Sequence, residues 1–547
     1  MRFALIVLFV WYHAVAYATA SPKFYDEDGD RIFENLNKRM QHVSAGERIP
    51  VIIQFREDTP RAGTYAARIS DVLKSGSLRY SYQNFPAVAA SLSTSQIREV
   101  LKDPMVEHIE LDGVIKKAMD GARSSFGVQQ VRSQFGFDGN RDVITTYSTT
   151  DIVAAIIDTG INANHPDLQN KILFWKDYVN SRSQPYDDEG HGTSVAGVLA
   201  GTGRSNRQFS GVAPGAALVV FKTLDSSGNG TISNGIAAVD ETISRKSEFN
   251  IRILNLSFST SGSSNGKDAL SRICNRAVTN GISVVVAAGN EGPSSRTIGA
   301  PGAAASVITV GAGADLNEKG FFLAEFSSRG PTADHRIKPD LWGPGVKIRT
   351  TRSGGGYRVV TGTSFATPFV SGVIALMLDA NSTLQPASIK SILMSTTERW
   401  IKSGKNNEAG FGRLQAYQAI TRAGSITANL HPPEVPDLFS SARALTANSV
   451  MTVDVDLASI KYPLAITCIA LNPGGNVDLE LFSPAGLLLA QASTLERQES
   501  LAFKPSSAGT YVVTVRAVTS AQFAITISGD LAGSNNEAIT VVHNAKR

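Results

Sequence analysis

Hydrophobic positions in residues 151–423 form unbroken apolar runs, which are typical of strands buried on both faces of a parallel sheet. The clearest runs are Ile152–Ile157, Leu218–Phe221 and Ile282–Ala287. They alternate with helical stretches at Thr193–Ala200, Thr231–Ser244, Lys267–Thr279 and Ser364–Ala380. This alternation predicts an α/β domain with helices on both faces of the sheet, whose functional groups lie at the carboxyl ends of the strands.

A smaller unit precedes this domain. Between Pro50 and Lys117, strand and helix patterns alternate over short distances, which predicts a split βαβ arrangement of the small α+β type. The predicted elements are a strand at Val51–Phe55, a helix at Ala66–Leu73, a hairpin over Tyr80–Leu92, a helix at Thr94–Leu101 capped by Ser93 or Thr94, and a strand at Val106–Ile115. The polar and small residues of Lys116–Ser125 then predict an exposed, cleavable linker and a domain boundary.

Residues after Arg422 lose the helical pattern. Pro432, Pro433 and Pro436 predict a stiff linker. Short β-rich runs follow, separated by turn signals, and they predict an all-β antiparallel sandwich. These runs are Val450–Leu457, Leu464–Leu471, Val477–Phe482, Gly486–Ala492, Glu499–Phe503, Tyr511–Val518 and Phe523–Ser528. No cluster of titratable residues stands out among them, so the chemistry is expected upstream.

The first 20 residues have the pattern of a secretory signal. Met1-Arg2 precedes an apolar run, Phe3–Tyr12, and small residues end at Ala20. The run is too short for a membrane span, so we predict cleavage after Ala20, a secreted, extracellular protein and no stable membrane anchor. An uncleaved anchor is the alternative.

Composition narrows the function classes. The 547 residues include 52 Lys and Arg against 48 Asp and Glu, a net charge of +4 that gives no reason to expect a nucleic-acid partner. The two cysteines, Cys274 and Cys468, match no zinc spacing and no disulfide framework. Two separate buried thiols are expected, although export would permit one bridge.

Three segments of the middle domain carry the residue types of nucleophilic hydrolysis. Asp158 follows a buried strand, His191 begins a helix within Gly190-His191-Gly192, and Ser364 begins another. A hydroxyl nucleophile needs a base to accept its proton and a carboxylate to orient that base. Asn290, after a further buried strand, offers an amide donor for an oxyanion.

These segments, in the order Asp, His, Ser, resemble the subtilisin-like serine proteases, or subtilases. The resemblance covers about residues 129–424 and includes Ala155–Ile161, His165–Leu168, Gly190–Gly197, Gly211–Ala216, Leu254–Ser259, Ala287–Pro293, Phe326–Pro331, Lys338–Asp340 and Gly362–Pro368. It implies a serine endopeptidase that forms an acyl-enzyme, with Ser364 as nucleophile, His191 as general base and Asp158 orienting it. Asn290 matches the family's oxyanion position.

The resemblance extends outward from the catalytic domain. Residues 21–120 resemble an inhibitor-type propeptide of ferredoxin-like fold with its linker, which implies a self-processed zymogen whose own propeptide is an intramolecular inhibitor. The catalytic domain is assigned to 121–424. Residues 437–547 are similar in strand spacing to pre-peptidase C-terminal domains. We expect a monomer acting on protein or peptide substrates.

The same family implies where a peptide binds. An extended substrate would lie as a strand between Ser257-Phe258-Ser259 and the segment around Gly228 and Gly230. Ala287, Ala288 and Gly289 would form the small walls of a specificity pocket. Small walls and the lack of an acidic residue there imply broad specificity with an apolar preference.

Two positions depart from the commonest family pattern. Ser194 stands where His is frequent, and Phe365 follows the nucleophile where Met is frequent. The serine-protease chemistry that the resemblance implies requires no cofactor. A structural calcium ion is left open without a clear motif, because Gly201–Ser210 lacks the Asn-rich segment of the family's high-affinity calcium loop. Asp225–Gly230 is no EF-hand loop, because Ile236 stands where a bidentate Glu is needed. The sequence therefore assigns no residue as a metal ligand, and the metal-binding residues are unknown.

Three other functions compete with this one. An aspartic protease would need a second Asp-Thr-Gly or Asp-Ser-Gly segment, which the sequence lacks. An α/β-hydrolase esterase would have its nucleophile first and a second glycine around Ser364. A binding protein that keeps the scaffold without catalysis would be expected to have lost one of the four site residues, and all four are present.

Overall fold

The chain divides into two units, residues 1–116 and 117–547. The computed structural model describes residues 30–32, 34–41, 43, 47–56, 69, 78–81, 87–111, 119–140, 146–316, 320–400, 404–426, 436–472, 474–532 and 539–544. The signal-like segment and the stiff linker around Pro432 therefore lie outside the described residues.

The described part of the first unit contains an antiparallel sheet with the strand order β2-β3-β1-β4. Its described elements are α1 (Glu34–Gln41), β1 (Ile49–Phe55), β2 (Leu78–Ser81), β3 (Ala87–Leu92), α2 (Thr94–Val100) and β4 (Val106–Leu111). Ser93 caps α2 in a capping box with Gln96, which confirms the predicted helix start. The sequence pattern did not predict α1. The predicted helix Ala66–Leu73 lies outside the described residues, apart from the buried Ile69.

The second unit is built on a mainly parallel sheet with the order β11-β10-β9-β8-β5-β7-β6, and β12 also pairs with β10. All of its pairings are parallel except the one between β10 and β11. Its strands are β5 (Val153–Asp158), β6 (Ile172–Asp177), β7 (Ala217–Lys222), β8 (Ile251–Leu256), β9 (Ser283–Ala287), β10 (Ile308–Leu316), β11 (Gly320–Leu323) and β12 (Leu341–Pro344). A separate hairpin is formed by β13 (Ile348–Thr351) and β14 (Tyr357–Val360).

Helices cover both faces of this sheet, as the sequence predicted. They are α3 (Met119–Ser125), α4 (Val128–Phe135), α5 (His191–Ala200), α6 (Ile232–Ser244), α7 (Lys246–Phe249), α8 (Ala269–Thr279), α9 (Thr363–Ala380), α10 (Pro386–Ser395) and α11 (Ala416–Ala423). Alternate residues of β5 enter two cores: Ile156 packs with residues of α5 and α9, and Ile157 packs with residues of α6 and α8. The unbroken apolar runs thus reflect burial on both faces.

Helix α9 has the length and mean hydropathy, 1.4, of a membrane span, but 83% of it is buried within the protein. It packs against α5, α11 and several strands of the sheet. We therefore assign it as a core helix.

The prediction of an exposed linker is wrong for the part of it that the structure describes. Residues 119–125 form α3, in which Ala122, Arg123 and Ser125 are buried. Phe126 follows the helix and makes edge-to-face contacts with Trp342 and Phe369. Small residues mark this segment because it packs closely, and the buried aromatic ring fixes it to the core.

The C-terminal region is an antiparallel sandwich of two sheets, ordered β15-β22-β17-β20 and β19-β18-β21-β16-β23. Its strands are β15 (Asp437–Leu445), β16 (Val450–Leu457), β17 (Leu464–Ala470), β18 (Val477–Phe482), β19 (Leu488–Ala492), β20 (Gln498–Phe503), β21 (Gly509–Ala517), β22 (Ala521–Gly529) and β23 (Ile539–Asn544). The seven predicted strands are confirmed, and β15 and β23 were missed. Cys274 and Cys468 are both free and buried, in separate cores.

Candidate active site

The predicted site residues follow neighbouring strands at one edge of the parallel sheet. Asp158 is the last residue of β5, Ser257 follows β8, and Ala287 is the last residue of β9. Strand β5 pairs with β8, and β8 pairs with β9. Because the carboxyl ends of parallel strands share an edge, residues about 130 positions apart in sequence come together there.

Asp158 and His191 form the central contact of the site. Nδ1 of the half-buried His191 lies 2.7 Å from Oδ1 of the fully buried Asp158. Burial by itself would lower the pKa of His191, but the charge and hydrogen bond of Asp158, with the charge of Glu189, raise the pKa above its ordinary value of 6.5. An imidazole held at Nδ1 presents Nε2 as its free nitrogen.

Asp187 organises the start of α5, and sequence reasoning missed it. Its carboxylate accepts hydrogen bonds from the backbone N–H groups of Gly190 (2.7 Å) and Thr193 (2.8 Å) and from the hydroxyl of Thr159 (2.9 Å). A carboxylate at a helix N-terminus satisfies free N–H groups and favours the helix dipole. The available signal was an acidic residue four positions before His191, at the start of a predicted helix.

The glycine after His191 is required by packing. A Cβ atom on Gly192 would lie 2.2 Å from the carbonyl oxygen of Gly160 and 3.1 Å from Cβ of Asp158. Only a hydrogen at this position lets α5 approach the end of β5 closely enough for the contact between His191 and Asp158.

Ser364 is the second residue of α9 and is half-buried. Its carbonyl oxygen accepts a hydrogen bond from the hydroxyl of Ser257 at 2.8 Å, and that hydroxyl accepts one from Asn255 at 2.9 Å. The end of β8 therefore fixes the backbone of Ser364. The backbone N–H of Ser364 lies in the first turn of α9, where N–H groups have no acceptor within the helix.

Asn290 has a defined orientation. Its Oδ1 accepts hydrogen bonds from the backbone N–H (3.0 Å) and the hydroxyl (2.9 Å) of Thr363, next to Ser364. These two donors hold the oxygen, so the Nδ2 group of Asn290 is the end left to donate. The side chain is exposed to the cleft.

One cleft of about 350 Å³ brings these groups together. Its lining includes His191, Ser364 and Asn290. Among the predicted substrate-binding residues, Ser257, Phe258, Ser259, Ala287, Gly289 and Gly228 also line it.

Two predicted substrate-binding residues lie elsewhere. Ala288 is fully buried and packs with Ile298 and Ala303, and its N–H donates to Val310, so it supports the pocket wall from behind. Gly230 forms an isolated bridge with Leu224, which lines the cleft itself. In the predicted wall Ala287-Ala288-Gly289, the sequence alone does not show that the middle residue faces away from the cleft.

The two departures from the family pattern both lie beside His191. The ring of Phe365 packs against the imidazole with ring centroids 5.2 Å apart. Ser194 is buried one turn after His191, and its hydroxyl accepts a hydrogen bond from Nε of Arg358 at 2.8 Å.

The described residues contain no group of three or more His, Cys, Asp or Glu side chains placed to hold a metal ion. In the 225–230 loop, the Asp225 carboxylate instead accepts hydrogen bonds from the N–H groups of Ser227 and Asn229.

Comparisons with known proteins identify the family of this chain. Residues 149–412 match the Subtilase family, and residues 27–96 match the Tk-SP N-propeptide domain. The chain is 32% identical to serine protease AprX of Bacillus subtilis (strain 168) over 400 residues, which cover 68% of this chain and 88% of that protein. It is 34% identical to subtilisin E of the same organism over 370 residues, covering 66% and 89%. Sphericase, a solved structure, aligns with a TM-score of 0.44 at 30% identity, covering 53% of this chain and 97% of that one. The chain therefore belongs to the subtilase family and is a serine-type endopeptidase with an N-terminal propeptide domain.

Proposed function

We propose that this protein is a secreted endopeptidase that cleaves peptide bonds through an acyl-enzyme formed on Ser364. The observation that carries the proposal is the 2.7 Å contact between Nδ1 of His191 and Oδ1 of Asp158, in a cleft that Ser364 and Asn290 also line. An imidazole oriented in this way has its other nitrogen available as a general base.

In the first step, the Ser364 hydroxyl attacks the carbonyl carbon of the scissile bond while His191 accepts its proton. Asp158 stabilises the imidazolium and keeps Nδ1 protonated. His191 then donates the proton to the leaving amine, the C–N bond breaks, and an ester to Ser364 remains. Water, activated by the same imidazole, hydrolyses the ester and regenerates the enzyme.

The negative charge that develops on the carbonyl oxygen has two donors in this proposal. The first is Nδ2 of Asn290, since Thr363 occupies the Oδ1 end of that amide. The second is the backbone N–H of Ser364 at the N-terminus of α9. Both donors are fixed before the substrate arrives, which is what makes such stabilisation effective.

Substrate binding follows from the walls of the cleft. We infer that a peptide lies in extended form along Ser257-Phe258-Ser259 and faces Gly228 across the cleft. Gly289 has φ +104, and a Cβ there would lie 2.8 Å from Oγ of Ser328, so this wall stays small. Together with Ala287 it leaves room for a sizeable apolar side chain, which supports broad specificity.

The N-terminal unit is proposed to act as an intramolecular inhibitor until self-cleavage. Its antiparallel order β2-β3-β1-β4, with α2 between β3 and β4, supports the ferredoxin-like fold expected of such a propeptide. Because Ala122 and Phe126 are buried in the second unit, we expect the mature chain to begin in the first part of the 118–125 range. Export through the Met1–Ala20 segment, a monomeric state and the pre-peptidase type of the sandwich belong to the same proposal.

The test compares secreted wild-type protein with Ser364→Ala and, as a matched control, Ser395→Ala on the exposed face of α10. Intact mass, N-terminal sequence and cleavage of a fluorogenic peptide are measured on each. We expect wild type and Ser395→Ala to mature and cleave the peptide, and Ser364→Ala to be full-length from Ser21 and inactive. A Ser364→Ala protein that matures and cleaves like wild type would overturn the proposal.

A further inference from the structure

The start of α5 is held by a cation from a distant hairpin. Arg358 lies on β14, and its Nη2 donates to the carbonyl oxygen of Gly190 at 2.8 Å. Its Nε donates to the hydroxyl of Ser194 at 2.8 Å. The two acceptors belong to the residue before His191 and to the residue three positions after it, so one guanidinium spans the first turn of the helix that carries the base.

Ser194 completes this arrangement on its other side. The Ser194 hydroxyl donates to the carbonyl oxygen of Thr351 on β13 at 2.7 Å and lies 3.2 Å from the carbonyl oxygen of Gly190. The hydroxyls of Thr350 and Thr351 donate to the carbonyl oxygens of Ser194 and Thr193. The hairpin β13–β14 is therefore bonded to the buried face of α5, and Arg358 bonds the residue directly before His191.

Ser194 and Arg358 are complementary in size and in hydrogen bonding. A hydroxyl is small enough to leave space for a guanidinium beside the helix, and it offers the lone pair that a guanidinium needs. A positively charged group at a helix N-terminus is electrostatically unfavourable, since the helix dipole already places positive charge there. The Arg358 guanidinium lies at such an N-terminus, so we expect it to have a function that offsets this electrostatic cost.

We propose that Arg358 is a positioning residue for His191: its planar fork fixes the turn from Gly190 to Ser194, and it sets a permanent positive charge beside the general base. This inference rests on the proposed function, because it concerns how the base of that reaction is held. It assigns a role to a residue outside the family motifs.

The charged groups around the imidazole support the proposed electrostatic effect of Arg358 on His191. Asp158, on β5, and Glu189, on the loop before α5, raise the pKa of His191, and Arg358, on β14, lowers it. Glu291 also lines the cleft. The positive charge of Arg358 thus opposes the effect of these carboxylates on the pKa of His191, so that the imidazole stays neutral, and able to accept a proton, to lower pH.

The experiment measures kcat and kcat/KM against pH for wild type, Arg358→Met, Arg358→Lys and the control Arg352→Met. Arg352 is an exposed residue of the same hairpin, so its loss changes the net charge equally. In Arg358→Met the pKa of His191 rises, so the acid limb of kcat/KM should move to higher pH by about 0.5 unit, the size of one charge acting over several ångströms in a water-like medium. Its plateau kcat should fall several-fold with little change in KM.

The variant Arg358→Lys separates the effect of the positive charge from the effect of the planar guanidinium. Arg358→Lys keeps the charge but loses the planar fork, so its acid limb should coincide with that of wild type while its kcat falls. Arg352→Met should match wild type in both. If Arg358→Met does not fold, Ser194→Ala replaces it, and a decrease in kcat without movement of the acid limb is then expected.

An acid limb and a plateau kcat in Arg358→Met that coincide with those of Arg352→Met would overturn the inference. For Ser194→Ala, an unchanged kcat would do the same. Failure of the proposed function looks different, because wild type itself would then show no acid limb governed by a histidine and no dependence on Ser364.

Discussion

His191 is controlled by residues from three separate segments of the chain. Asp158 binds its ring nitrogen, Glu189 accepts its backbone N–H at 2.6 Å, and Arg358 holds the preceding carbonyl. Two carboxylates raise the pKa of the imidazole and one guanidinium lowers it. The pH at which His191 becomes a neutral base therefore depends on the balance of these three charges, and single substitutions can change it.

Glu189→Gln tests this balance of charges by removing one of the two carboxylates. The amide keeps a hydrogen-bond acceptor for the His191 N–H but removes the charge that raises the pKa, so that pKa falls. Because the reaction needs neutral His191, activity is lost as pH drops through this pKa, and the acid limb of kcat/KM should move to lower pH by about 0.5 unit. Glu496→Gln, on the exposed surface of the sandwich, is the control and should not move it. A limb that stays in place, or moves upward, contradicts the assignment.

Sequence reasoning at this scale found the residues that lie within short motifs. His191, Ser364 and Asn290 line one cleft, and each lies within three residues of the end of a helix or strand at that edge of the sheet. Asp187 and Arg358 were missed, because an acidic residue before a helix and a lone arginine on a hairpin have many ordinary explanations. The contact from Arg358 to Gly190 joins residues 168 positions apart, and no local pattern predicts such a pairing.

Among the elements, the segment from Met119 to Phe126 shows why composition can mislead. Small and polar residues suggested an exposed linker, yet α3 packs into the core, and Phe126 contacts Phe321, Trp342 and Phe369. Elements with strong periodicity, such as α8 and β16, were predicted to within two residues. Strand β15 was missed because most of its residues are only partly covered, so its alternation is weak.

Phe126→Ala measures how much this segment contributes to the catalytic core. Removing a fully buried aromatic ring leaves a cavity, and we expect the free energy of unfolding to fall by about 3–5 kcal/mol. Denaturant unfolding of mature protein carrying Ser364→Ala, produced without its propeptide or cut by a second protease, avoids self-digestion. Leu495→Ala, at a side chain that is 88% exposed, should change this free energy by less than about 0.5 kcal/mol. Equal effects of the two substitutions would mean that the segment is not part of the core.

At the scale of the whole molecule, the described part of the second unit joins a catalytic domain to a sandwich through direct contacts. The backbone N–H of Glu325 donates to Oε1 of Gln498 at 2.6 Å, and Leu438 of β15 packs against the catalytic core. The sequence predicted both domains but gave no sign of this contact, because it depends on surface residues that meet only after each domain has folded. Ser328, three residues after Glu325, lines the active-site cleft.

Leu438→Glu tests whether the two domains stabilise each other. A carboxylate in this apolar contact must remain hydrated, so the contact should open while each domain keeps its own core. Calorimetry of the Ser364→Ala form should then show two transitions, or an earlier first transition, where the parent protein shows a coupled one. Leu495→Glu introduces the same charge at an exposed site and should leave the profile unchanged. A Leu438→Glu profile identical to that of the control would show that the contact contributes no stability.

Covalent labelling tests most directly whether Ser364 is the nucleophile. Mature wild-type protein is treated with a sulfonyl fluoride, and the modified residue is located by tandem mass spectrometry, with Asp158→Asn treated in parallel. We expect one adduct per molecule, located on Ser364, with complete loss of peptide cleavage. Labelling of Asp158→Asn should be much slower, because its imidazole is held in the wrong tautomer. Stoichiometric inactivation with the adduct on another residue, or full activity with Ser364 labelled, would contradict the role of Ser364 as nucleophile.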